Sequence, residues 1–144
     1  MSKYTIFTDG GSRGNPGLAA IGVVIEGADI GKKEYAEYIG ITTNNEAEYK
    51  AVIFALKKLK QLVGNNGSEK SHVVFYMDSE LAIKQLNNEY KVKDEGIQQL
   101  FLEVHNLRLD FGKVEFNHVV RGRNANADKL VNQALDRESN KLDL

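Results

Sequence analysis

The spacing of the hydrophobic residues changes near residue 44, and this change most constrains the fold. Before it, residues 3–8, 18–25 and 34–41 are rich in apolar, β-branched or aromatic side chains and have the composition of strands. Their connections are short, so we expect an antiparallel meander. From residue 44 to residue 62, apolar residues recur at helical spacing. The sequence therefore predicts three strands followed by a long helix.

In the remainder of the chain, strand-like segments alternate with segments of helical spacing. It predicts strands at 72–77 and 113–120 and helices at 79–86, 96–109 and 124–137. The predicted order is βββαβααβα. Strand–helix–strand units imply parallel pairing with right-handed crossovers. The expected fold is therefore α/β, with a mixed five-stranded sheet (three antiparallel strands, then two parallel) flanked by helices. Its 144 residues fit one domain spanning residues 1–144.

Composition limits the possible classes of protein. Hydrophobic residues form 42% of the chain and charged residues 27%, as in soluble globular proteins. No apolar run approaches the ~18 residues needed to cross a bilayer, and the first residues lack a signal-peptide pattern. We therefore expect a cytoplasmic protein without membrane association. The absence of cysteine excludes disulfides, thiolate metal sites and a cysteine nucleophile. Because the net charge is −1, a nucleic acid would have to be held by a local patch or by metal.

Four acidic residues are predicted to meet at one edge of the sheet. Asp9 and Asp78 each follow a strand that we expect to be central, and reactive sites lie beyond the carboxyl ends of parallel strands. Glu48 lies near the start of the long helix, and Asp128 early in the last one. Four converging carboxylates are what two divalent metals require, and two metals about 4 Å apart suit phosphodiester cleavage.

Each of these residues also has a structural interpretation. Asp9, before two glycines, could open a turn. Asp78 precedes a serine after a strand and could cap a helix. Glu48 could belong to a capping box. Asp128 would be stabilised by the helix dipole. Taken singly these interpretations are reasonable, but they do not explain why all four residues recur in this order of elements.

The segments around the four carboxylates resemble the motifs of type 1 ribonuclease H. They read T-D-G-G-S-R-G-N-P-G, T-N-N-E-A-E-Y, M-D-S and N-A-N-A-D, and the resemblance covers essentially the whole chain. It implies an endoribonuclease that hydrolyses the RNA strand of RNA–DNA hybrids, leaving 3′-hydroxyl and 5′-phosphate ends. It also implies that Asp9, Glu48, Asp78 and Asp128 are the catalytic residues and the ligands of two Mg²⁺ ions, with Mn²⁺ as a possible substitute.

The resemblance also suggests residues that contact the hybrid. Asn15, Asn44 and Asn45 match asparagines that in the family contact the minor groove, where ribose 2′-hydroxyls distinguish RNA from DNA. Thr43 completes this predicted substrate-binding set. The alternative for the asparagines is that they form turns and helix caps. The sequence alone leaves that alternative open.

Two departures from the family pattern affect the prediction. Many bacterial members carry a histidine shortly before the last aspartate, whereas this chain has Arg121 and Arg123 there. We include both arginines among the predicted substrate-binding residues. The basic, tryptophan-containing protrusion of other members is also absent, since residues 84–95 carry balanced charge. The chain therefore resembles the handle-less subgroup, and we expect weaker, more salt-sensitive hybrid binding.

Two other functions remain compatible with the sequence. One is a catalytically weak or inactive hybrid-binding protein of the same fold. The other is a related nuclease that acts on another nucleic-acid substrate, because the same metal site occurs in several nuclease classes. For each of the three functions we expect a monomer.

Overall fold

The computed structural model describes residues 1–142. Within this range, five strands and four helices follow in the predicted order, and a 3₁₀ turn at Arg121–Asn124 precedes the last helix. The strands are β1 (Ser2–Gly14), β2 (Gly17–Gly27), β3 (Gly31–Thr42), β4 (Ser71–Met77) and β5 (Lys113–His118). The helices are α1 (Asn44–Glu69), α2 (Glu80–Leu86), α3 (Glu95–Arg108) and α4 (Ala125–Leu142).

The strands form one mixed sheet in the order β3-β2-β1-β4-β5. β1 pairs antiparallel with β2, and β2 antiparallel with β3. β4 pairs parallel with both β1 and β5. This arrangement confirms the predicted sheet. It also makes β1 and β4 adjacent, with their carboxyl ends at the same edge.

The first strand is longer than predicted. It does not end at Thr8 but continues to Gly14, because β2 pairs with it from Thr5 to Gly14. The parallel pairing with β4 ends earlier, at Phe7 opposite Tyr76. Asp9 therefore lies inside β1, so the prediction that it follows the strand is wrong, and so is the alternative that it opens a turn. Its position is nevertheless just beyond the last residue pair shared with β4.

The long helix is interrupted near its end. Gly64 has φ 75° and ψ 176°, values outside the helical region, and a short helical segment then continues to Glu69. Glycine adopts this positive φ at little cost. The helix was predicted to end before Gly64, and the interruption explains that boundary. At the other end, the Thr43 hydroxyl accepts a hydrogen bond from the backbone N–H of Glu46, 3.2 Å away.

Helices cover both faces of the sheet. On one face, Tyr4 and Ile6 of β1 are buried in a large core shared with α1, α2 and α3. On the other, Ala20 of β2 packs in a smaller cluster with residues of α4. The members contributed by α4 are Val131, Ala134 and Leu135. In the described part of the chain, no helix has the length and apolar character needed to cross a membrane.

Candidate active site

Asp9 occupies the centre of the site because β1 is the central strand. The residue is only 8% exposed. Its Oδ1 accepts a hydrogen bond from the backbone N–H of Gly10, 3.0 Å away. A buried carboxylate with a single short-range donor retains free lone pairs. Asp9 is therefore able to accept further ligands or protons.

Gly10 allows α1 to approach β1 closely. A β-carbon at this position would overlap the backbone of Ala47 and come within 2.5 Å of the Glu48 nitrogen. The close approach brings Glu48, 7% exposed, to the carboxyl edge of the sheet. Side-chain oxygens of Asp9, Glu48 and Asp78 lie within 4.8 Å of one another.

Asp78 does not cap the following helix. The cap of α2 is Ser79, whose hydroxyl accepts from the backbone N–H of Ala82 at 3.3 Å. Asp78 directly follows β4, which ends at Met77. Its carboxylate is therefore not engaged in capping and faces the cluster with Asp9 and Glu48.

Asp128 reaches the site from α4. Asn124, at the end of the 3₁₀ turn, donates from Nδ2 to the backbone carbonyl of Thr8 at 2.8 Å. This bond ties the start of α4 to the residue before Asp9. Asp128 lines the same cavity as the other three carboxylates, which has a volume of about 440 Å³. It stands outside the tight group of Asp9, Glu48 and Asp78.

The carboxylates of the cluster repel one another and lack a balancing positive charge. Burial, followed by repulsion from Asp78, raises the pKa of Asp9 to about 7. Burial, followed by repulsion from Asp9 and Asp78, raises the pKa of Glu48 well above its usual range. Glu48 Oε2 is buried and has no hydrogen-bond partner. An unpaired buried carboxylate oxygen is unfavourable, and hard divalent cations prefer oxygen ligands. The donor set therefore fits a magnesium-type cation.

Hydrogen bonds connect Asn15, Asn44 and Ser12 beside the carboxylate cluster. Asn44 Oδ1 accepts from the backbone N–H of Ser12 at 2.9 Å and from its hydroxyl at 3.2 Å. Asn15 Oδ1 accepts from the backbone N–H of Asn44 at 3.0 Å. A backbone N–H can only donate, so the side-chain oxygen of Asn44 faces Ser12. The side-chain NH₂ group of Asn44 therefore remains available to donate. Asn44 is exposed and lines the cavity, whereas Asn15 is exposed but lies outside its lining.

The other four predicted substrate-binding residues do not lie together. Thr43 serves as the N-cap of α1, and Asn45 lies near Gln85, with 3.5 Å between Asn45 Nδ2 and Gln85 Oε1. Neither residue lines the carboxylate cavity. Arg121 does line it. Arg123 instead borders a separate cavity of about 100 Å³. The structure thus separates two arginines that the sequence could not rank.

Sequence reasoning missed Arg13, Asn132 and Gly22. The first two line the carboxylate cavity. Asn132 lies one helical turn after Asp128, a spacing that places both on one face of α4. Gly22 interrupts an apolar strand, which can indicate a close backbone approach. Arg13 carried no recognisable signal, because its position depends on β1 extending beyond Thr8.

Comparison with known sequences gives consistent matches. Residues 7–134 match the family profile described as Reverse transcriptase-like. The chain is 38% identical over 136 residues to the bifunctional protein Rv2228c of Mycobacterium tuberculosis, covering 93% of this chain and 36% of that protein. It is 36% identical over 131 residues to ribonuclease HI of Halobacterium salinarum, covering 90% of this chain and 63% of that protein. The chain thus spans less than two thirds of the length of both relatives.

A solved structure matches over nearly its full length. LC11-RNase H1, isolated from compost, has been solved in complex with an RNA/DNA hybrid. In that complex it superposes on this chain with a TM-score of 0.86 and 41% identity. The match covers 94% of this chain and 98% of that one.

Proposed function

The chain belongs to the type 1 ribonuclease H family, and we propose that it is an endoribonuclease that hydrolyses the RNA strand of RNA–DNA hybrids. One observation carries the proposal. The carboxylate oxygens of Asp9, Glu48 and Asp78 converge within 4.8 Å, and Asp128 lines the same cavity. Such a site suits metal-assisted hydrolysis of a phosphodiester. The similar LC11 enzyme, solved with an RNA/DNA hybrid, supports the choice of substrate.

The four carboxylates would hold two divalent cations, with Mg²⁺ as the expected metal and Mn²⁺ as a substitute. Asp9 would be one of the central ligands, because the carboxylates of Asp78 and Asp128 both lie close enough to it to raise its pKa. When bound, the cations would activate a water for in-line attack and stabilise the departing 3′ oxygen. The expected products carry 3′-hydroxyl and 5′-phosphate ends.

The protein's own groups would hold and orient the substrate. Asn44, fixed by Ser12, presents NH₂ donors to the cavity. Acceptors are available on every base pair of a minor groove and on ribose 2′-hydroxyls, so these donors suit recognition without base specificity. Arg121 would stabilise negative charge near the cleaved phosphate, and it cannot act as a proton shuttle. Asn15 and Thr43 would act by fixing the start of α1, while contact of Asn45 and Arg123 with substrate remains a prediction.

We extend the proposal to the organisation of the chain. Residues 1–144 would form one ribonuclease H-like domain, because all five strands join one sheet and helices pack on both of its faces. Only residues 87–94 separate α2 from α3, a short connection that supports assignment to the handle-less subgroup. A monomeric state and a cytoplasmic location remain predictions from the sequence.

A substrate panel tests the proposed function. Purified protein is incubated with an end-labelled RNA–DNA hybrid, duplex DNA or duplex RNA, in Mg²⁺, Mn²⁺ or EDTA, beside the Asp9→Asn variant. We expect cleavage of the hybrid's RNA strand alone, dependent on metal and lost in the variant. Cleavage of another duplex instead would assign a related nuclease. Hybrid binding without cleavage in any metal would assign a binding protein.

A further inference from the structure

Arg13 lies on the same strand and the same face as Asp9. Side chains four residues apart on a strand share a face and are separated by roughly 13 Å. Gly11, midway between them, contributes no side chain and lines the same cavity. Both Arg13 and Asp9 line the 440 Å³ cavity. Arg13 is therefore a cationic group on β1, in the same cavity as Asp9 and four residues further along the strand.

The cavity contains few positive charges. Among the described residues that line it, the cationic side chains are Arg13 and Arg121, against four carboxylates. The whole chain has a net charge of −1. A polyanion that must approach four carboxylates needs local cations at its phosphates. Arg13 is one of two side chains in the cavity able to supply this contact.

Asp136 and Asn132 hold Arg13 in place. Arg13 Nη2 lies 2.6 Å from Asp136 Oδ1 and 3.4 Å from Asn132 Oδ1. The side chains of Arg13 and Asp136 are 42% and 65% exposed, and exposed ion pairs of this kind contribute little to stability. These contacts use one of the guanidinium nitrogens, so further N–H groups remain free to donate. A phosphate can thus be bound without a large energetic cost.

We propose that Arg13 is a substrate-binding residue that holds a backbone phosphate of the RNA strand near the cleaved bond. Asp136 and Asn132 orient its guanidinium before the substrate binds. The RNA strand is the expected partner because Arg13 shares a cavity with the carboxylates, where the cleaved strand must lie. Arg–phosphate pairs combine charge with directional hydrogen bonds, which makes arginine suitable for this role. The inference rests on the proposed function.

Steady-state kinetics separate binding from a structural role. Arg13→Gln should raise KM for the hybrid by roughly tenfold and change kcat by less than about twofold. Arg13→Lys should recover part of the affinity, because an ammonium also pairs with phosphate. Asp136→Asn removes the ion pair but keeps the Arg13 charge and an oxygen that can still accept from its guanidinium, so its KM should rise much less than that of Arg13→Gln. Arg137→Gln removes an equal charge from α4 outside the cavity and should resemble the unaltered protein.

Binding measurements identify the phosphate. In an Asp78→Asn background that prevents cleavage, Arg13→Gln should reduce the slope of log affinity against log salt by about one. Single RNA-strand phosphates are then replaced by neutral methylphosphonates on a 2′-deoxy sugar, with 2′-deoxy phosphodiesters as references. Replacing the phosphate at one position should weaken binding roughly tenfold when Arg13 is present. The same replacement should have no further effect on binding by Arg13→Gln.

The possible results are distinct. If the unaltered protein does not cleave the hybrid, the proposed function fails, and this inference fails with it. If it cleaves the hybrid but Arg13→Gln leaves KM unchanged, only the inference is overturned. An equal rise in KM for Asp136→Asn would also overturn it, because the ion pair would then matter only to structure. Loss of affinity on neutralising a DNA-strand phosphate instead would overturn the assignment to the RNA strand.

Discussion

Gly22 lies directly opposite Asp9 in the β1–β2 ladder. A β-carbon at Gly22 would overlap the carbonyl oxygen of Ala127 and come within 3.0 Å of Leu130 Cβ. Helix α4 thus rests on the glycine that pairs with the central carboxylate. Gly10, the residue after Asp9, provides the same close contact for α1. Two glycines therefore set the distances at which Glu48 and Asp128 approach Asp9.

Substituting Gly22 should displace Asp128. We expect Gly22→Ala to push α4 outward, lower the free energy of unfolding by about 1–3 kcal/mol and reduce kcat more than it raises KM. Thermal unfolding and hybrid cleavage measure the two effects. Gly122→Ala is the control, because a β-carbon there has no neighbour within 4 Å. Full activity of Gly22→Ala would show that the position of Asp128 does not depend on this contact.

The carboxylate cluster should destabilise the metal-free protein at neutral and alkaline pH. The pKa of Asp9 is raised from 3.8 to about 7. Between these two pKa values the folded protein therefore holds a proton that the unfolded chain has released. The free energy of unfolding consequently falls as the pH rises through this range. Asp9→Asn should accordingly be more stable than the unaltered protein in EDTA at about pH 8, by about 1–3 kcal/mol. Urea unfolding at acidic and alkaline pH checks this difference.

A matched control accompanies this measurement. Glu37→Gln also removes one negative charge, from an exposed position on β3, and should not stabilise the protein at alkaline pH. If Asp9→Asn proves less stable than the unaltered protein in EDTA at about pH 8, the account of the cluster's electrostatics is wrong.

Divalent metal should reverse this destabilisation. Ligands that bind only the folded state raise stability in proportion to the logarithm of their concentration. Mg²⁺ or Mn²⁺ should therefore raise the Tm of the unaltered protein at about pH 8 in a concentration-dependent way, and EDTA should restore the original value. Asp9→Asn should largely lose this response, and Glu37→Gln should keep it. An equal rise in Tm for Asp9→Asn would place the metal elsewhere.

Neighbouring residues Asp78 and Ser79 should have separable roles. Ser79 caps α2, so Ser79→Ala should lower the free energy of unfolding by ~1 kcal/mol and leave most of the activity. Asp78→Asn should abolish cleavage without a comparable loss of stability. Chemical unfolding and single-turnover cleavage of both variants test the pair. If Asp78→Asn instead lowered the free energy of unfolding and kept the activity, Asp78 would act as a helix cap.

Local patterns were sufficient for the order of elements and for the meeting of the four carboxylates at one cavity. The change of hydrophobic period near residue 44 correctly separated the meander from α1, and the crossover rule correctly placed Asp9 near Asp78. The end of β1 could not be predicted, because glycines usually end strands and only pairing with β2 extends this one to Gly14. For the same reason Arg13 was missed.

Other features of the site depend on tertiary contacts. Arg121 and Arg123 are two residues apart and chemically identical, yet only Arg121 lines the cavity, because the 3₁₀ turn directs them to different cavities. Gly10 and Gly22 each allow a helix backbone to approach closely, and the sequence does not show which helix approaches which glycine. Asn124 belonged to a recognised motif, but its bond to Thr8 required the structure.

We propose that the four carboxylates act together as a metal-dependent catalytic site. The most direct measurement is the cleavage rate of an RNA–DNA hybrid in Mg²⁺ for four isosteric variants and one control. The variants are Asp9→Asn, Glu48→Gln, Asp78→Asn and Asp128→Asn. The control is Glu46→Gln, whose carboxylate accepts from the Thr42 hydroxyl at 2.6 Å and lies outside the cavity lining. We predict a loss of about 1,000-fold or more in each variant and a near-normal rate in the control. A near-normal rate in any of the four carboxylate variants would contradict the account.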